Sequence, residues 1–158
     1  MTIKPTPRKI YVASSWRNAQ QPSVVKSLRG AGHEVYDFRN PAPGENGFAW
    51  SALDPDWLKW NLRQYIHNVR KPLADKGFKL DRDALHWCDT CVLVLPCGRS
   101  AHLEAGYAAG QGKRTIFMLS MDKFEPELMY RLGHGFVTNT AELLTALQTA
   151  EVDCTTIY

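Results

Sequence analysis

What this sequence lacks narrows it first. No apolar run approaches the roughly 20 residues a helix needs to cross a bilayer, and residues 1–8 lack the apolar core of a signal peptide. The expectation is a cytoplasmic protein with no membrane partner. Net charge is only +3, from 19 Lys and Arg against 16 Asp and Glu, and the basic residues are scattered. That gives no footprint for a nucleic-acid polymer and leaves small anionic ligands open. The four cysteines are Cys88, Cys91, Cys97 and Cys154. Cys88 and Cys91 have C-x-x-C spacing, but no second pair stands at zinc-finger distance and the pair leads into a strand rather than a helix, so no metal or redox centre is expected. Buried reduced thiols behave as small hydrophobes; Cys97, on the loop after that strand, is the one whose modification would matter. The loop after the first strand has neither G-x-G-x-x-G nor G-x-x-x-x-G-K, so no dinucleotide, triphosphate or other cofactor is expected. There is no internal repeat or low-complexity tract.

What is present is an alternation. At 158 residues the chain fits one domain, 1–158, that can bury a core without disulfide or metal staples. Residues 9–13, 33–38, 89–95, 113–119 and 135–137 read as strands. Residues 22–31, 56–69, 80–88, 101–111, 126–131 and 141–149 read as helices, with Gly32, Gly110 and Gly112 as stops and 138–140 as the last cap. Alternating strands and helices predict an α/β fold, a Rossmann-like or flavodoxin-like three-layer sandwich on a parallel five-stranded sheet. Residues 40–55, rich in Pro, Gly and aromatics, read as an ordered loop or lid.

The chemistry concentrates in Pro96-Cys97-Gly98-Arg99-Ser100-Ala101-His102-Leu103-Glu104-Ala105-Gly106-Tyr107. Here Gly98 supplies backbone freedom, Ser100 reads as a helix cap, and Glu104 falls in the first helical turn at the carboxyl edge of a strand. In open parallel sheets that edge holds the ligand crevice, and helix amides there favour a carboxylate or a substrate phosphate. Two readings of Glu104 stand: a site acid, or a surface acid complementing the helix dipole. Ser14, Ser15, Trp16 and Arg17 form a polar loop after the first strand. A serine hydroxyl beside Arg17 suits a single phosphate, the alternative being a solvated Arg17 at a helix start. Trp16 stands at the edge where the pocket should lie, whereas Trp50, Trp57 and Trp60 either stack a flat ligand beneath the lid or pack the loop.

Breaking a glycosidic bond commonly takes two carboxylates. Asp83, leading into the third strand, is the natural partner of Glu104; Asp81 fits a helix cap and Asp89 a turn. His102 is either a partly exposed helix residue or a group tuning Glu104.

Four segments then carry a likeness: 9–13 with Trp16, 83–89, 103–108 and 125–130, of which Glu-x-Gly-Tyr-Ala followed by Gly112-Lys113 is the most specific. The chain resembles the nucleoside 2-deoxyribosyltransferase family, which includes related 2′-deoxynucleoside 5′-monophosphate N-glycosidases. The resemblance implies that Glu104 is the nucleophile at the anomeric carbon, Asp83 assists the departing or incoming base, and Tyr11 orients Glu104. It further implies an ionised Glu104, a protonated Asp83, and a homo-oligomer, dimer or higher, with the 127–130 segment reaching across. The Ser15-x-Arg17 loop looks like the phosphate-binding loop of the nucleotide hydrolases, and Arg99-Ser100 at a helix start would suit an anion too; the lid and the chain end at Tyr158 look more like the transferases. Two departures bear on base and sugar contacts: Gly98 stands where transferases can carry an acid, and Glu127 where they can carry Asn, before Leu128 and Met129. The expected substrate is a small nucleoside or nucleotide, with deoxyribosyl transfer as the reaction and hydrolysis, or binding without turnover, as alternatives. A flavodoxin-like electron carrier fits less well, because the phosphate loop is reduced to Ser14 and Ser15.

Overall fold

A computed structural model of the chain describes residues 6–149; Cys154 and Tyr158 lie outside the described residues. Five strands, β1 (Lys9–Ala13), β2 (Glu34–Asp37), β3 (Thr90–Val94), β4 (Arg114–Met118) and β5 (Gly135–Val137), form one all-parallel sheet in the order β2-β1-β3-β4-β5. Because successive strand residues face opposite sides, each strand feeds two cores. Ile10, Val12, Val92, Val94, Ile116 and Val137 pack under α1 (Gln21–Gly30) and α5 (Thr140–Gln148) through Val24, Leu28, Leu143 and Leu147. Tyr11, Ala13, Cys91, Leu93 and Phe117 pack on the other face under α3 (Pro72–Trp87) and α4 (Arg99–Gly110). A shorter helix, α2 (Leu62–Asn68), closes the excursion between β2 and α3 with a capping box of Asn61 and Gln64. No helix among the described residues is long and apolar enough to cross a membrane.

The α4 stripe is built from Ala101, Ala105 and Ala108, all buried. At spacings of four and three these fall on one face, and their small side chains let the helix lie close on the sheet centre. The helix begins at Arg99 with Gly98 at its N-cap position and no side-chain cap, so Ser100 is not the cap expected of it. Glu104 consequently sits beyond the first turn, where the helix-dipole effect has fallen away.

The acidic helix also differs from expectation. Residues 80–88 are only the second half of α3, which starts at Pro72. Asp81 is therefore a mid-helix residue and caps nothing. Residues 56–69 divide into a short 3-10 turn, Trp57–Lys59, and α2, while the helix expected at 126–131 is a 3-10 turn, Leu128–Leu132.

Candidate functional site

In the order 2-1-3-4-5 the chain reverses direction across the sheet between β1 and β3, and in such sheets ligands bind outside the carboxyl ends of the strands at that switch point. The loops after β1 and β3 meet there and are tied together. Ser14 Oγ donates to the Val94 carbonyl at 2.8 Å, and the buried Asn18 Nδ2 donates to Val94 O at 3.2 Å and Pro96 O at 3.3 Å. Ser15 Oγ accepts from the Arg17 amide at 3.1 Å. Arg39, unremarked in the sequence, organises the loop from outside. Its Nη2 donates to the carbonyls of Ser15, Trp16 and Asn18 at 3.2, 3.0 and 2.9 Å, and its guanidinium lies 5.4 Å over the Trp16 ring. The Trp16 and Arg17 side chains are exposed on this loop at the carboxyl end of β1.

Two carboxyls and two phenols face one another beneath these loops. Tyr11 on β1 and Tyr36 on β2 are register partners, so both side chains leave the same sheet face, and their rings stack at 5.1 Å and 22°. The Tyr36 hydroxyl donates to Asp81 Oδ1 at 2.7 Å. The Tyr11 hydroxyl is buried without a hydrogen bond of strict geometry, and the group it faces and stabilises in ionised form is the Glu104 carboxyl. Burial raises the pKa of Glu104 to about 8, with the Asp81 charge adding to the rise and Tyr11 opposing it. Burial likewise raises Asp81 above the usual carboxylate range, while the Tyr36 hydrogen bond pulls it back. Such a pair titrates as a unit. Both members are raised, burial being the first cause, which favours one proton shared between the two carboxyls.

Asp83 is not brought to this pair. Its carboxylate is exposed and takes two hydrogen bonds from Arg82, at 2.9 and 3.2 Å. Helical phase is the reason: two residues along an α-helix turn about 200°, so if Asp81 faces the sheet, Asp83 faces away. Asp81 occupies the place expected for Asp83. Asp89 is structural, accepting the Lys9 amide and the Thr90 hydroxyl at the start of β3.

The remaining candidates lie at the start of α4 and on the 3-10 turn after β4. Arg99 and Ser100 are exposed in the first turn of α4. Gly98 has φ −94° and open space where a Cβ would stand, so no backbone freedom peculiar to glycine is used there. Glu127 caps the 3-10 turn by accepting the Met129 amide at 2.9 Å, and Met129 is exposed beside it. His102 fastens this turn to the start of α4. Because the Gly98 carbonyl only accepts, His102 Nδ1 donates to it at 2.8 Å, leaving Nε2 to accept from the Tyr130 hydroxyl at 2.8 Å. Cys97 Sγ lies 3.6 Å from His102, and burial with the nearby Glu104 pushes its thiol up to about 12, so it stays protonated.

Residues 40–55 wrap against α3. Gly47 has φ +76°, and a Cβ there would meet the Phe38 carbonyl and come 2.8 Å from the Trp16 ring; a Cβ on Gly77 of α3 would come 2.7 Å from Phe48. Gly77 and Asp81 share a helix face, so a small cavity lined by Phe38, Pro41, Gly47, Phe48, Gly77 and Asp81 lies between lid and helix. Trp50 packs edge-on against Phe48, Trp60 and Tyr65, and Trp60 Nε1 donates to Asp54 at 2.6 Å. Packing is thus what Trp50 and Trp60 do.

No protein-family model matches the chain and no curated protein is detectably similar to it. Solved structures do share its shape. A 2-deoxyribosyltransferase from the psychrotolerant bacterium Bacillus psychrosaccharolyticus, described as a biocatalyst for nucleoside synthesis, covers 90% of this chain and 97% of its own at TM-score 0.57 and 17% identity. A CMP N-glycosidase of Clostridium botulinum, BcmB, covers 89% of this chain and 98% of its own at TM-score 0.48 and 20% identity. The first likeness shows a common α/β fold, and it is to a member of the family that the sequence motifs resemble.

Proposed function

We propose that the chain cleaves the N-glycosidic bond of 2′-deoxynucleosides or their 5′-monophosphates through a covalent glycosyl–Glu104 intermediate and passes the deoxyribosyl group to another base. The observation that carries this reading is the pair of raised, partly buried acids, each facing its own tyrosine, at the switch point of the sheet. One proton shared by two carboxyls gives the microstate that glycosyl transfer needs: an ionised nucleophile beside a protonated acid. Ionised Glu104 attacks C1′ as the C1′–N bond breaks, the bonding pair leaves with the base, and the Asp81 proton goes to the base nitrogen. The second base then attacks C1′, giving its nitrogen proton to Asp81 and releasing Glu104 as a carboxylate. Tyr11 supports the ionised form of Glu104 in both half-reactions.

Hydrolysis of 5′-monophosphates is the second reading, favoured by the anion-suited rim: Ser15 and Arg17 after β1, Arg99 and Ser100 at the start of α4. Water would then replace the second base. A homo-oligomer is part of the proposal, supported by the exposed Leu103, Leu128, Met129 and Leu132 on α4 and the 3-10 turn beside the site. Deoxynucleosides and their monophosphates, each incubated with and without a free acceptor base and resolved by chromatography, test the reading. A new nucleoside formed only with acceptor supports transfer, and base released only from monophosphates supports hydrolysis. Ligand binding without product from any substrate would overturn both.

A further inference from the structure

Tyr36 stands outside the sequence motifs and takes no step in the chemistry proposed above, yet its hydroxyl has one partner among the described residues, the second acid. Packing alone does not call for that hydroxyl. The ring is half-buried and stacks on Tyr11, a contact that phenylalanine would make as well. A phenolic O–H removed from water costs free energy unless it is hydrogen-bonded, and here it is spent on Asp81 Oδ1 at 2.7 Å. Burial and the Asp81 charge both push the Tyr36 phenol up, so it remains a donor across the working pH range.

We propose that Tyr36 is a positioning residue for Asp81: its O–H occupies Oδ1 and so assigns the carboxyl proton to Oδ2, the oxygen left to serve the leaving base. The inference rests on the glycosyl-transfer reading. The two oxygens of a carboxylate are equivalent sites for its proton, and a group meant to deliver that proton to one nitrogen gains from having the equivalence broken. The same tyrosine ring backs Tyr11, which faces Glu104, so β1 and β2 present one phenol to each acid from paired register positions.

The test is Tyr36→Phe in the full chain, which keeps the ring stack and removes only the oxygen. Two substrates are compared, a natural deoxynucleoside and 4-nitrophenyl 2-deoxyriboside, whose nitrophenolate departs without protonation. Expected is a loss in kcat/KM of about 10- to 100-fold on the nucleoside, part of the 10²–10⁴ that general acid catalysis is worth, and a change under about threefold on the nitrophenyl glycoside. In an Asp81→Asn background the same substitution should cost nothing further. Carboxyl ¹³C NMR supplies a readout that does not need turnover: the Asp81 titration midpoint should move to higher pH in Tyr36→Phe, because the hydrogen bond favours the ionised form. Equal losses on both substrates, or an unmoved Asp81 titration, overturn the inference. If the unsubstituted protein turns over neither glycoside, the glycosyl-transfer reading has failed on its own, and the NMR titration still decides whether Tyr36 holds Asp81.

Discussion

Replacing Glu104 by Gln should stabilise the fold while abolishing turnover, and the size of the gain can be worked from the site. Burial beside Asp81 raises the Glu104 pKa from 4.5 to about 8. In the unfolded chain the group ionises near its ordinary value. Between pH 4.5 and 8 the folded state therefore keeps a proton that the unfolded state has released, and stability falls as pH rises through that window. At pH 7 the pKa difference sets an upper bound of about 3 kcal/mol, at about 1.4 kcal/mol per pH unit. The carboxyl is partly open to solvent, which brings the expected figure to about 1–2 kcal/mol. Glutamine keeps the shape and has no ionisation, so the variant loses this slope. For a chain of this length that corresponds to a Tm about 3–6 °C higher at pH 7.5, with the two proteins nearly equal at pH 4.5. Urea unfolding of both proteins at half-unit steps from pH 4.5 to 8.5 makes the measurement. Parallel stability curves across that range would refute the assignment of a raised pKa to Glu104, and with it the shared proton.

Three further outcomes follow from particular contacts. Asp81→Asn should lower turnover of natural deoxynucleosides by about 10²–10⁴, the worth of a general acid, whereas Asp83→Asn, which loses only an exposed pair with Arg82, should stay within about threefold; steady-state kinetics on the two variants would contradict the geometry if the order were reversed. Gly47→Ala should destabilise by about 1–3 kcal/mol, because alanine at φ +76° is strained and its Cβ meets the Phe38 carbonyl and the Trp16 ring; an unchanged urea midpoint would show that the lid does not bind Trp16 as described. His33 Nδ1 accepts the Arg8 amide, and burial and Arg8 hold its pKa below 6.5; stability from neutral His33 is complete above pH 6.5 and is lost as pH falls below it, so His33→Asn should flatten the acid limb of the stability curve, and an equally steep limb would assign the loss elsewhere.

Sheet and site differed in how far the sequence exposed them. All five strands were legible because each is short and set off by helical segments or turns, most of them as apolar runs, and β5 matches residue for residue at Gly135–Val137. The start of α3 was not, since Lys71 supplies no side-chain cap and Gly77, a weak helix former, interrupts the pattern in its second turn. That omission hid the helical phase, and phase is what separates Asp81 from Asp83. Tyr36 was invisible for a different reason. Its pairing with Tyr11 needs the order β2-β1, and that order follows from where α1 returns the chain, not from any residue in β2. Arg39 reaches Ser15, Trp16 and Asn18 across more than 20 positions of sequence, a contact that local pattern does not encode. Glu104, by contrast, was marked by the turn after β3 and the helix that opens from it.

The most direct measurement is mass spectrometry of acid-quenched protein after mixing with a deoxynucleoside in the absence of acceptor. A covalent glycosyl–Glu104 step predicts one 2-deoxyribosyl group on the peptide containing Glu104, formed with a burst of one equivalent of free base and absent from Glu104→Gln. Turnover in Glu104→Gln at the rate of the unsubstituted protein, with no sugar on that peptide, would contradict it.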